Sequence, residues 1–167
     1  MDIDETPLPD ESPTDYACRI AKAKAEAGWI QLIQRRVPLL PVLAADTVVS
    51  LKGQIFGKPE NSAHAEEMLS ALSGQTHEVL TAVAMIELDR ARVHLSTSTV
   101  QFRDISKREI RAYLTVNEAH DKAGAYAIQG MAAVFVAKIS GSYSGIMGLP
   151  LFETARLLEE FGMEVLH

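Results

Sequence analysis

Apolar and polar positions in this chain follow two periods, and the changes between them mark its elements. From Pro41 to Leu51 the residues run Pro-Val-Leu-Ala-Ala-Asp-Thr-Val-Val-Ser-Leu, apolar on both sides of an acid–hydroxyl pair, the pattern of a buried strand. Leu51-Lys52-Gly53-Gln54-Ile55 reads as a tight turn into a short return strand, with Gly53 at the tight position. Before it, residues 14–28 place Tyr16, Ile20, Ala23 and Ala27 at helical spacing; Ser12-Pro13-Thr14-Asp15 offers the start and Gly28 the stop. Residues 29–40 are mixed, with Arg35-Arg36 expected at the surface. Asn61 or Ser62 caps a helix with an apolar stripe of Ala65, Met68, Leu69 and Leu72, ended by Ser73-Gly74. Residues 76–88 and 92–102 read as strands joined by a turn at Asp89-Arg90. Ser106 and Glu109 form a capping box for a helix to Leu114, with Ile110, Tyr113 and Leu114 inward. Residues 131–139 read as an apolar strand, 151–161 as a last helix, and 163–166 as an edge strand. Strands and helices alternate around one hairpin, which predicts an α/β or α+β domain on a mixed sheet.

The length, 167 residues with 47% apolar content, suffices for one core and favours a single domain over 1–167, perhaps with two lobes. A formal charge of −6 argues against a nucleic-acid partner, which needs a basic face, but allows a local cationic pocket for a small anion. No apolar run approaches the roughly 18 residues of a membrane span, and no signal segment opens the chain. One cysteine, Cys18, forms no internal disulfide and fits a reducing, cytoplasmic setting. It is expected to be a packed thiol.

Asp46 and Thr47 are polar where the pattern calls for core. A buried carboxylate must be paired, hydrogen-bonded or metal-bound. Gly57-Lys58-Pro59 puts a cation in a turn shortly after, so the two are expected to hold a metal-bound phosphate substrate. The first thirteen residues are acidic and proline-rich, and composition favours a disordered arm; the sharper reading lets one or two of Asp2, Asp4, Glu5, Asp10 and Glu11 reach a metal. Lys22 and Lys24 fall on different helix faces, and a solvated charge is the default for each. Residues 117–130 join Asp121-Lys122 to small residues that permit close backbone approach, and to Gln129, which carries both a donor and an acceptor and by default is a hydrogen-bonded loop glutamine. Gly141-Ser142-Tyr143-Ser144-Gly145 is a weak candidate for backbone N–H groups aimed at phosphate. The histidines at 64, 77, 94, 120 and 167 lack metal-ligand spacing and are expected to be structural.

Several of these stretches occur together: Ala44-Ala45-Asp46-Thr47-Val48-Val49, Gly57-Lys58-Pro59, Leu72-Ser73-Gly74-Gln75-Thr76-His77 with Thr81-Ala82-Val83-Ala84, Asp121 through Gly130, and Gly141-Ser142-Tyr143 with Gly148-Leu149-Pro150-Leu151. In that order and spacing, from about Asp2 to Phe161, the chain resembles the Maf family of nucleoside triphosphate pyrophosphatases. The resemblance implies a two-lobed fold like that of inosine triphosphatases. It implies hydrolysis of a nucleoside triphosphate to the monophosphate and pyrophosphate with Mg²⁺ or Mn²⁺, in the branch that prefers dTTP and UTP. It further implies a link to septum formation and a homodimer. By it, Asp46 is the proton acceptor, Thr47 and Gln129 tune base choice, Lys24 and Lys58 contact phosphate, and Glu5 is an acid near the metal. From the residues alone, Asp46 is either the proton acceptor or a metal ligand. Family members carry a Ser-x-Ser-x-Arg-Arg loop with a strand and helix before the stretch matched by Asp-Ile-Asp-Glu, and here Met1 falls after that unit. The rival expectation is therefore a catalytically impaired nucleotide-binding or regulatory protein of cell division, keeping contacts through Thr47, Lys58 and Gln129.

Overall fold

The computed structural model describes residues 3–166. Asp2 and His167, named above among the candidate acids and the histidines, lie outside them.

The first helix, α1 (Pro13–Arg35), starts where expected: Pro13 occupies the first turn and the Ser12 side chain accepts from the Asp15 N–H. It does not stop at Gly28. The helix runs on to a left-handed Arg36 (φ 54°), where the Arg36 and Val37 N–H groups return to the carbonyls of Ile33 and Leu32, and Pro38 follows. Glycine in a helix interior costs only about 1 kcal/mol, and packing outweighs it. Tyr16, Ala17, Ile20, Ala21 and Ala25 are buried, and they share a core with Val48, Leu80, Ala82, Ala84 and Ile86 of the sheet. The small side chains let the helix axis approach the strands closely.

The sheet has five strands: β1 (Val42–Leu51), β2 (Gln54–Phe56), β3 (Thr76–Glu87), β4 (Arg90–Phe102) and β5 (Val136–Ser140), in the order β2-β1-β3-β4-β5. The β1–β2 turn places Lys52 (φ 53°) and Gly53 (φ 83°) in the left-handed region, which suits a two-residue hairpin. The α/β class forms as the alternation of elements predicts. The pairing corrects one detail: every neighbouring pair is antiparallel, not mixed. The helix α2 (Ser62–Leu72) carries the chain from β2 to β3, and these strands do run parallel. They flank β1, however, which opposes both.

Beyond the sheet's other face lie α2, α3 (Lys107–Leu114) and two 3₁₀ turns, 123–125 and 131–135, packed on Val49, Val79, Val100 and Phe102. The stretch 131–139 is thus a 3₁₀ turn before a five-residue strand; Ala132 and Phe135 are its buried positions, a spacing of three in place of strand alternation. Two further helices, α4 (Tyr143–Ile146) and α5 (Leu151–Glu160), close the C-terminal part, where Leu157 packs against Val83 and Met85. Residues 163–166 form no strand. β3, covered on both faces, reads as a continuous apolar run for that reason.

Candidate active site

β2 pairs with β1 only at Val49, Ser50 and Leu51, so among the described residues the outer edge of β1 from Val42 to Val48 carries no strand. A cleft of about 330 Å³ wraps that edge. Successive strand residues point to opposite faces, so a cleft lying across the edge takes both members of the acid–hydroxyl pair. Asp46 faces α1 and Thr47 faces α4, and both line the cleft.

On the α1 side, the Lys24 Nζ donates to Asp46 Oδ1 at 2.5 Å and lies 3.0 Å from Glu5 Oε1. The default reading of Lys24 as a solvated charge is corrected: its side chain is about one quarter exposed, and it joins two carboxylates that are far apart in sequence. The disordered-arm reading is corrected as well. Tyr16 Oη donates to the Glu5 carbonyl, Arg19 donates to the Thr6 carbonyl and to both carboxylate oxygens of Glu11, and Ile3 packs on the α1 core. These bonds hold Glu5 at the cleft. Burial pushes the Asp46 carboxyl above its ordinary range, although Lys24, by hydrogen bond and charge, and Lys58, by charge, pull it down. Burial also acts against the Lys24 ammonium, but the hydrogen bonds and charges of Asp46 and Glu5 outweigh it and lift that group. The proton on Lys24 is therefore held firmly, and Asp46 is a stronger base than an exposed aspartate.

Lys58 stands on the turn after β2 and is exposed at the cleft. Its turn is tied down by the Gly124 N–H, which donates to the Gly57 carbonyl at 3.0 Å. Gly124 adopts φ 68°, and a Cβ there would lie 3.1 Å from Val49. Gln129 lines the same cleft on a loop that Glu118 secures by accepting from the Met131 N–H at 3.0 Å. Thr47 Oγ1 lies 2.8 Å from Thr81 Oγ1 on the facing position of β3.

The cleft thus gathers Asp46, Thr47, Lys58, Gln129 and Glu5, and reaches Lys24 through its carboxylate partners. It adds Tyr16, Asp121, Lys122, Tyr126, Met147 and Gly148, which the candidate set lacked. Asp121 and Lys122, paired at 2.7 Å, were legible as a charged step before small residues. Tyr16 was legible only as an apolar helix position. The Gly141–Gly145 turn is a correction: it does not line the cleft, and the Ser142 and Gly145 N–H groups are used internally, on Ser98 Oγ and Ser142 Oγ. His77 is a buried structural residue under the cleft, 2.8 Å from Tyr126 Oη and edge-on to Phe102. Cys18 is partly buried, its thiol pushed up by burial, as a packed thiol should be.

A lysine held between two carboxylates, a second lysine and the neutral polar side chains of Thr47 and Gln129 thus meet around one cleft. The chain belongs to the Maf-like protein family, whose sequence profile matches residues 1–161. It is 64% identical to a dTTP/UTP pyrophosphatase of Nitrosomonas europaea over 164 residues, 98% of this chain and 79% of that protein. A dTTP/UTP pyrophosphatase of Nitrosospira multiformis is 60% identical over the same shares, and one of Pasteurella multocida 47% identical over 98% of this chain and 84% of its own length.

Proposed function

We propose that this chain, acting as one domain over residues 1–167, hydrolyses dTTP and UTP to the monophosphate and pyrophosphate. The observation that carries the proposal is the Glu5–Lys24–Asp46 group on the open edge of β1, facing Lys58 across the cleft. The names of the relatives supply the substrate class. A triphosphate brings about four negative charges near neutral pH, which cations must offset before a nucleophile approaches. Lys24 and Lys58 supply two. Asp46, made more basic by burial, accepts the proton of the attacking water; the water oxygen bonds to phosphorus as the α–β anhydride P–O bond breaks and pyrophosphate leaves. Lys24 orients the Asp46 carboxylate through its short hydrogen bond. Thr47 and Gln129 meet the base.

A divalent cation fits the donor set. Glu5 Oε1 and Asp46 Oδ1 both contact the Lys24 Nζ, which brings two carboxylates close together, so that a cation beside Lys24 would draw on their other oxygens. No group of three or more acid, histidine or cysteine side chains among the described residues would hold a metal alone, which suits Mg²⁺ or Mn²⁺ completed by phosphate oxygens and water. Bound there, the cation would offset phosphate charge and lower the pKa of its water. The homodimer and the link to septum formation rest on the family resemblance, and the cytoplasmic setting on the single cysteine. Among the described residues no helix is long and apolar enough to cross a membrane.

The test is pyrophosphate release from dTTP and UTP with Mg²⁺ or Mn²⁺, with and without chelator. Release that chelator stops and added metal restores supports the reading. Nucleotide binding without release in any metal would favour the non-catalytic alternative.

A further inference from the structure

Glu5 reaches the cleft on an irregular stretch, residues 3–12, that belongs to no helix or strand. Its carboxylate meets Lys24 at 3.0 Å, and the Glu5 side chain is 41% exposed. An exposed ion pair of this kind contributes less than the ordering of a single residue costs in conformational entropy. That bond therefore does not hold the stretch in place. The fastening is made by α1. Tyr16 Oη donates to the Glu5 carbonyl at 2.8 Å. One turn further along, Arg19 Nη2 donates to the Thr6 carbonyl at 3.1 Å, and Arg19 Nε and Nη2 grip the Glu11 carboxylate at 2.6 and 2.7 Å. A two-pronged, charge-assisted pair is of the strong kind, and the Glu11 side chain is only 7% exposed. Glu11 Oε2 also accepts from the Leu8 N–H at 3.0 Å, and the Glu11 N–H donates to the Leu8 carbonyl, which closes the turn 8–11. Lys24 stands about two turns beyond Tyr16 on the same helix. One rigid element thus carries the anchors of the Glu5 main chain and the ammonium that the Glu5 carboxylate meets, and it docks on β1, which carries Asp46.

We propose that Tyr16 and Arg19 are positioning residues that set the affinity of the cleft for a divalent cation: they clamp the carbonyls of Glu5 and Thr6, and so keep the Glu5 carboxylate beside Asp46. The inference rests on the functional reading above and deepens it. Both side chains act through Glu5. The Tyr16 proton goes to a carbonyl, and the Arg19 guanidinium is taken up by a carbonyl and by Glu11. Two carboxylates bind a hard cation tightly only when both are already placed. A donor on a loose chain must be ordered at the moment of binding, and that entropy is subtracted from the affinity. Fastening the chain beforehand removes the cost, as outer partners of metal ligands do. Once the Glu5 carboxylate is gone the anchors have nothing left to aim, which separates this role from general support of the fold.

The experiment measures Mn²⁺ binding by electron paramagnetic resonance, without nucleotide, on the unaltered chain, Tyr16→Phe, Glu5→Gln and the double variant. Hydrogen exchange of the amides of residues 5–11 is followed alongside. Phenylalanine keeps the buried ring and removes only the hydroxyl. Tyr16→Phe is expected to weaken Mn²⁺ binding about tenfold and to speed exchange in residues 5–11. Glu5→Gln should weaken binding as much or more, and adding Tyr16→Phe to it should cost less than about twofold further. Arg19→Met, which releases the Thr6 carbonyl and Glu11, should follow the same pattern and decides the matter should Tyr16→Phe fail to fold. Additive losses overturn the proposal, because Tyr16 would then act on the cleft without Glu5. Faster exchange with unchanged Mn²⁺ binding overturns it too, by making the fastening purely structural, as does an unaltered chain that binds no Mn²⁺. The non-additive loss without any dTTP or UTP hydrolysis sinks the functional reading and leaves the fastening standing.

Discussion

Asp46→Asn keeps an oxygen for Lys24 but accepts no proton. Turnover of dTTP is expected to fall by about 10²–10⁴-fold with the thermal midpoint little changed, the range that a positioned proton acceptor supplies; full activity in that variant would remove Asp46 from the chemistry. Lys24→Met acts on the same atom in the opposite sense. Lys24 now pulls the Asp46 carboxyl down against the upward push of burial. Without it the carboxyl titrates higher, so the acid limb of the kcat/KM profile should move to higher pH. A limb that stays in place would show that another group sets it. At this scale much could be read in advance. A carboxylate and a hydroxyl inside an apolar strand stand out, because burial without a partner is costly. Lys24 could be placed only by resemblance, since a helical lysine is by default solvated and its partner lies 22 residues away.

Elements hold these side chains through a few local devices. The α3 capping box is intact: the Ser106 side chain accepts from the Glu109 N–H, and Glu109 Oε2 accepts from the Ser106 N–H at 2.8 Å. Arg103 and these bonds hold the Glu109 carboxyl down at about 2. Ser106→Ala should cost about 1 kcal/mol in urea denaturation while leaving kcat unchanged, because α3 does not line the cleft. Gly124→Ala should do more. The residue sits in the left-handed region against Val49 and bonds to the Lys58 turn, so a loss of about 1–2 kcal/mol should come with a raised KM as the turn shifts. Equal KM for both chains would separate the turn from phosphate binding. Caps, hairpin and helix stripes were legible because each depends on residues within one turn of each other. The end of α1 was not: Gly28 is a permitted stop, and only the fit of the helix to the sheet decides whether it is used. The 3₁₀ turn at 131–135 hid for a related reason, being as apolar as the strand that follows.

For the molecule as a whole, His77 sets a window of acid sensitivity. Burial pushes it down to about 4 from its ordinary 6.5, so the folded protein keeps it neutral. Stability from this group is fully present above about 6.5 and is lost as pH falls toward about 4, because the unfolded chain takes up a proton that the fold refuses. The size is about 3 kcal/mol at 1.36 kcal/mol per unit. Glu11 and Glu109, both held down at about 2 by arginine partners, lose their contributions only below the ordinary carboxylate range. Urea midpoints between pH 7 and pH 4.5 should therefore fall less steeply in His77→Gln than in the unaltered chain; equal slopes would mean that His77 does not govern this window.

Period, caps, turns and the order of motifs were enough to establish the α/β class, most element positions and the polar residues worth watching. These depend on near neighbours, whose geometry is set by backbone sterics and by one or two hydrogen bonds. The assembled site depends on something else. The register of β1 on β3 sets Thr47 opposite Thr81, and the docking of α1 brings Lys24 to Asp46. The seating of α4 brings the Gly145 carbonyl to the Thr81 hydroxyl that donates to it, 64 residues away. Such contacts are selected by the packing of whole faces, where a slip of one residue would turn every side chain to the other side. No local pattern carries that information, which is why the partners in the cleft came from the tertiary structure.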